Sequence, residues 1–148
     1  MKSKPKDLEF MALADEANHF LKGQNWCKTI EKQWLAANWD NILVVFYFDI
    51  IPDSPVADDK VWVIVGDLPP AYIDIESANN EIEAVQAYTK IMDDWVQCVK
   101  AGQPVDACYP VNVPPEKKYA DMLDLRLGLI RKYILCQDTV GNLGHSPR

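Results

Sequence analysis

The chain has 148 residues, of which 49% are hydrophobic and 25% are charged, the composition of one ordinary globular domain. Fifteen Lys and Arg residues against 22 Asp and Glu residues leave a formal net charge of −7. Nucleic-acid binders need cations that face the phosphate backbone, so this charge argues against nucleic acid as a partner. The same charge favours fast association with a basic protein.

The first six residues are basic, like the start of a signal peptide, but no continuous apolar segment follows them. Glu9, Asp15, Glu16 and His19 interrupt that region, and no apolar run approaches the roughly 20 residues of a membrane span. We therefore predict a cytoplasmic protein that makes no contact with a membrane.

Four cysteines, Cys27, Cys98, Cys108 and Cys136, are widely spaced, with no C-x-x-C pair and no spacing typical of metal ligands. Reduced cysteines that behave as small buried hydrophobes are the favoured interpretation, and a disulfide or redox pair is the minor alternative. Only Cys108 lies in a segment expected to be exposed. The sequence predicts no cofactor and no bound metal.

The pattern of apolar residues predicts two helices before the first strand. Residues 7–22 form the first helix, and Gly23 follows it as a stop signal. Residues 25–38 form the second, because Trp26, Ile30 and Trp34 recur every four positions.

Two strongly apolar segments, 42–49 and 61–66, predict a pair of strands, the second buried on both faces. Their connection is too short for a parallel return, so the pair is expected to be antiparallel. Residues 72–75 can add a short third strand.

A third helix is predicted from about Ser77, its expected N-cap, to Gly102. An irregular connector over 103–114 and a fourth helix from Pro115 follow it. Residues 1–6 and 138–148 are expected to be flexible. The predicted fold is a single α+β domain, with a small antiparallel sheet of two or three strands covered by about four helices.

Candidate catalytic residues are few. Asp49 and Asp67 lie at strand ends and could bind a divalent cation or act as an acid–base pair if they share one edge. Solvated aspartates that form turns are the favoured interpretation. The only histidines, His19 and His145, fall in a predicted helix and in the C-terminal tail, and no serine has a nucleophile-elbow context. The sequence leans against an enzyme.

Acidic and aromatic side chains are the better candidates for binding a protein partner, because exposed Trp and Tyr residues often anchor interfaces. Six residues at predicted strand ends, in connectors and at the end of the second helix are selected: Asp53, Asp58, Asp59, Asp74, Trp39 and Tyr109.

The segment Val61-Trp-Val-Ile-Val-Gly-Asp-Leu-Pro-Pro-Ala-Tyr-Ile73 resembles a group of small uncharacterised bacterial proteins. In that group an apolar strand also runs into Gly-Asp-Leu-Pro, with a tyrosine shortly after it. The resemblance covers about residues 26–101. It implies a bacterial cytoplasmic protein of unassigned function and transfers no site residues.

The leading hypothesis is a non-enzymatic interaction protein, of the immunity type that binds and neutralises a toxin domain. One alternative is a small metal-assisted hydrolase that uses Asp49 and Asp67. Another is a homodimeric structural or adaptor protein whose tryptophan-bearing helix forms the interface.

Overall fold

The computed structural model describes residues 5–54 and 58–135. The chain divides into two compact units, residues 1–84 and 85–148. The predicted flexible tail, 138–148, lies outside the described residues, as do residues 1–4. Residues 5 and 6 already belong to the first helix.

A four-stranded antiparallel sheet forms the first unit, and its strands lie side by side in the order of the chain. One helix, α1, precedes the sheet, and a short 3-10 turn, Ile75–Ser77, follows it. The bounds are α1 (Pro5–Lys22), β1 (Cys27–Trp39), β2 (Leu43–Pro52), β3 (Lys60–Gly66) and β4 (Ala71–Asp74).

The core of the first unit lies between α1 and one face of the sheet. Phe46 of β2 is paired with Val63 of β3, and the rings of Phe46 and Phe10 of α1 are 5.8 Å apart. Phe48 and Leu21 are fully buried in the same cluster. Burying a large apolar side chain contributes about 1.5–3 kcal/mol, so this cluster is a main source of the unit's stability.

The opposite face of β2 and β3 is buried as well. Val45, Trp62 and Ile64 are at most 6% exposed, and the Trp62 indole Nε1 donates a 3.1 Å hydrogen bond to the carbonyl of Ala78. A strand that is buried on both faces has a continuous apolar sequence, and β3 has such a sequence. The predicted antiparallel pairing and the two-sided burial of β3 are confirmed.

The segment 25–38, predicted as a helix, is mostly the edge strand β1. Its pairing with β2 is irregular between Cys27 and Thr29, between Ile30 and Lys32, and between Leu35 and Ala37. Each irregularity places an extra residue on β1, as in a β-bulge. Positions 30, 33, 35 and 38 therefore pair with β2 residues whose side chains lie on the α1 face. Their spacing of two or three residues does not keep the regular period of two that identifies a strand, so β1 shows no strand pattern in the sequence.

The predicted sheet of two or three strands covered by about four helices is wrong, because the described residues form four strands and three α-helices. The α+β class itself fits.

The residues of β1 also favour a strand locally. Thr29 and Ile30 are β-branched, and Trp34 packs across the strands on Tyr47 with ring centroids 5.8 Å apart. Pairing with β2 thus outweighs the helix-like spacing.

The second unit consists mainly of α2 (Glu81–Lys100), whose first turn lies at the end of the first unit, and α3 (Lys117–Ile130). A π-helical turn, Arg131–Leu135, continues α3. Asn80, rather than Ser77, caps α2, because its Oδ1 accepts a 2.9 Å hydrogen bond from the backbone N–H of Glu83.

The buried residues of α2 recur at helical spacing: Ala84, Val85, Tyr88, Thr89, Met92, Trp95 and Val96. Those of α3 do the same: Ala120, Leu123, Leu127 and Ile130. This pattern confirms that the third predicted helix is amphipathic and that a further helix follows the connector. Within residues 5–54 and 58–135, no helix is long and apolar enough to cross a bilayer.

Gly66 closes β3 in a conformation that a side chain cannot share. Its φ is +146°, and a Cβ atom there would lie 2.8 Å from the carbonyl carbon of Ile42 and closer still to its oxygen. We predict that Gly66→Ala lowers the free energy of unfolding by about 2 kcal/mol or more, measured by urea denaturation.

Gly128→Ala is the matched control, because Gly128 lies within α3 and a Cβ there meets no atom within 4 Å. Removing a helical glycine is expected to raise the free energy of unfolding by about 0.5–1 kcal/mol. Equal effects of the two substitutions would contradict the role assigned to Gly66.

Candidate functional site

A groove of about 430 Å³ lies in the first unit, beside the start of β3 and the end of β4. We call it the acidic groove. It is lined by three acidic side chains, two aromatic rings, one lysine and one valine: Asp58, Asp74, Glu76, Trp26, Tyr72, Lys60 and Val61.

The strand register brings the three carboxylates together. Asp74, the last residue of β4, is paired with Val61, and Asp58 lies two residues before the start of β3. Glu76 follows in the 3-10 turn, so it stays close to the end of β4. All three residues are exposed to solvent. This end of the sheet therefore carries a local excess of negative charge.

Aromatic side chains form another part of the groove. The rings of Trp26 and Tyr72 meet edge to face with centroids 4.8 Å apart, and Phe20 at the end of α1 packs on Tyr72 at 6.4 Å. The Trp26 carbonyl accepts a 2.9 Å hydrogen bond from the backbone N–H of Asp53. Trp26 and Tyr72 are half-buried, so the groove combines fixed aromatic surface with carboxylates.

Lys60 is the one cation among the groove's lining residues, and it is paired with a carboxylate outside that lining. Its Nζ lies 2.7 Å from Oδ1 of Asp49 on the neighbouring strand. This hydrogen bond raises the pKa of Lys60 above its ordinary value, against a smaller lowering by burial. In the described part of the chain no Lys or Arg forms an ion pair with Asp58, Asp74 or Glu76.

Two of the six residues predicted to bind a partner, Asp58 and Asp74, line the acidic groove. Asp53 and Asp59 are exposed at the same end of the sheet but outside the groove lining, and the carbonyl of Asp59 accepts a 2.9 Å hydrogen bond from the backbone N–H of Ile50. The structure thus gathers four of the predicted acidic residues at one end of the sheet.

The two predicted aromatic anchors are not part of this site. Trp39 is the last residue of β1 and is paired with Leu43, at the far end of β2 from Asp49. Tyr109 belongs to the second unit and is half-buried in the connector between α2 and α3. Neither residue lines the acidic groove.

Asp49 and Asp67 are not brought together. Leu43 is paired with Gly66 and Asp49 with Lys60, so the two carboxylates lie near opposite ends of the β2–β3 pair. At about 3.3 Å per residue, that separation is roughly 20 Å, well beyond the reach of a shared cation. Among the residues described, no group of three or more His, Cys, Asp or Glu residues could hold a metal ion.

Trp26, Tyr72 and Glu76 line the acidic groove but are not among the six residues that the sequence predicted to bind a partner. Tyr72 and Asp74 are two residues apart in a strand, a spacing that places both side chains on one face. That signal was present in the sequence. Trp26 gave no such signal, because its contact with Tyr72 depends on the path of the chain between α1 and β1.

Comparison of the chain with protein-family models, with curated proteins and with solved structures finds no match. A functional proposal therefore depends on the chemistry of the groove itself.

The Asp49–Lys60 pair predicts a measurable change in titration. Asp49→Asn should lower the pKa of Lys60 because it removes the carboxylate that accepts its hydrogen bond. Wild-type stability from this pair is present below the ordinary lysine pKa and is lost as pH rises through the raised value. NMR titration of the lysine side-chain resonances would measure the pKa.

Asp59→Asn is the control for this titration, because Asp59 acts on Lys60 only through charge and without a hydrogen bond. It should lower the pKa of Lys60 less than Asp49→Asn does. An unchanged Lys60 pKa in Asp49→Asn would contradict the pairing.

Proposed function

We propose that this chain is a non-enzymatic bacterial interaction protein that acts in the cytoplasm and binds a basic protein partner. An immunity-type protein that neutralises a toxin domain is the specific form of this proposal. The observation that carries it is the acidic groove, in which Asp58, Asp74 and Glu76 share a cavity with Trp26 and Tyr72.

The groove has the chemistry that recognises a Lys or Arg side chain. A guanidinium or ammonium group gains charge-assisted hydrogen bonds from carboxylates and a further attraction from an aromatic face. The groove carboxylates form no ion pair within the described part of the chain, so a partner's cation need not displace one of its own. Binding of such a cation is therefore favoured by both the carboxylates and the aromatic rings.

The net charge of −7 supports the same partner. An acidic protein attracts a basic one over distances near the Debye length, about 8 Å at physiological salt, and this increases the association rate. The net negative charge attracts the partner at long range, and the residues of the groove make the short-range contacts. Binding is therefore expected to weaken as salt rises.

The two alternative functions receive less support. The hydrolase alternative needs Asp49 and Asp67 close together, and the strand register separates them. The homodimer alternative needs a tryptophan-bearing helix, and that segment is mostly the edge strand β1, whose irregular pairing is typical of edges that resist pairing with another chain. A partner of different chemistry fits the described residues better than a second copy.

The proposal is tested with two variants that remove equal charge. Asp74→Asn combined with Glu76→Gln neutralises the groove, whereas Asp15→Asn combined with Glu31→Gln neutralises two exposed residues outside it. Each protein is used for affinity capture from lysate of the source organism at low and moderate salt. A captured basic protein is then purified, and its dissociation constant is measured for each variant.

The groove variant should bind that protein at least about tenfold more weakly than the wild type, while the control variant should change the affinity only about twofold. Equal losses in both variants would show a general charge effect and contradict a role for the groove. Unchanged affinity in the groove variant would also contradict it.

A further inference from the structure

Two cysteine thiols in the second unit lie in contact. Cys98 is in the last turn of α2, Cys108 is in the connector that follows, and their Sγ atoms are 3.6 Å apart. Both residues are half-buried. An S–S bond is about 2.05 Å long, so the thiols are within a modest side-chain movement of bonding distance.

The backbone after α2 holds this arrangement. Gly102, with a φ of +71°, reverses the chain, and the N–H of Gln103 donates a 2.8 Å hydrogen bond to the carbonyl of Cys98. The N–H of Cys108 donates a 3.0 Å hydrogen bond to the carbonyl of Val105, which closes a second turn. The connector therefore folds back onto the helix that carries Cys98.

We propose that Cys98 and Cys108 are a redox-active dithiol, which exchange with a small-molecule disulfide such as oxidised glutathione converts into an intramolecular disulfide. This modification site lies outside the acidic groove residues and does not depend on the proposed partner.

The reaction balances as thiol–disulfide exchange. One of the two thiols loses its proton, and its sulfur attacks the glutathione disulfide, whose S–S bond breaks to release one glutathione thiolate. The second cysteine then attacks the mixed disulfide and releases the other glutathione. Two cysteine thiols are oxidised, one glutathione disulfide is reduced to two thiols, and the released thiolates take up the two protons.

The surroundings of Cys108 also affect the rate of this exchange. Burial, followed by the hydrogen bond to Cys98 and the nearby Asp94, raises the pKa of Cys108 above its ordinary value. Thiolate is the attacking form, so a raised pKa slows uncatalysed oxidation at neutral pH. Exchange with a disulfide uses the same thiolate, so closure of the disulfide is expected to become faster as the pH rises.

Oxidation would tether the connector that carries Tyr109. A bond between Cys98 and Cys108 closes a short covalent loop and ties the residue before Tyr109 to the end of α2. Burial and then the nearby Tyr109 already raise the pKa of Tyr88 on the same helix well above its ordinary value. The disulfide would therefore fix a segment that already folds against α2.

Peptide mapping of the full chain tests this proposal directly. Reduced protein is incubated with oxidised glutathione, its remaining thiols are alkylated, and it is digested with trypsin without reduction. Trypsin cuts after Lys90, Lys100 and Lys117, so Cys98 and Cys108 fall in separate peptides, 91–100 and 101–117. The expected product is these two peptides joined by a disulfide, with an intact mass about 2 Da below that of the reduced chain.

Three further samples define the outcome. Cys136→Ala should give the same linked peptides, whereas Cys108→Ser should give only a glutathione adduct on Cys98 while keeping the wild-type circular dichroism spectrum. Oxidation in concentrated urea should close the disulfide at least about tenfold more slowly than in the folded chain. A folded wild type that keeps both cysteines alkylated or separately glutathionylated would overturn the proposal, as would equal closure rates in urea and buffer.

Discussion

Seven residue pairs join β2 to β3, and every side chain from Val61 to Val65 is buried. Because both faces of this pair are covered, a slip of one residue would exchange the side chains of the two faces and disrupt both at once. The register is therefore strongly fixed. It places Lys60 opposite Asp49, and, through the pairing of β3 with β4, it places Asp74 opposite Val61. The position of the acidic groove follows from this packing.

The parts of the fold that could be predicted are those with an unbroken pattern. Segments 42–49 and 61–66 are continuous apolar runs, and the buried residues of α2 keep one helical period over its length. β1 could not be predicted in the same way, since three irregularities in its pairing shift which residues face α1. Such shifts depend on the neighbouring strand and leave no regular period in the sequence.

Of the candidate site, only the exposed acidic residues could be predicted from the sequence. Asp58 and Asp74 could be selected because aspartates at strand ends are exposed, but their common groove depends on the pairing of β3 with β4. The contact of Trp26 with Tyr72 joins residues distant in the chain, which no local pattern indicates. The same holds for Cys98 and Cys108, because their contact requires the connector to fold back onto α2.

If the acidic groove binds cations, an NMR titration with a hexa-arginine peptide should detect that binding. The titration follows the indole N–H of Trp26 and the backbone amides of residues 58–61 and 72–76 in ¹⁵N-labelled protein. We expect saturable shifts concentrated in these signals, and their loss in the variant that combines Asp74→Asn with Glu76→Gln. Shifts of equal size at exposed acidic residues such as Asp15 and Glu31, with the Trp26 indole unmoved, would contradict binding in the groove.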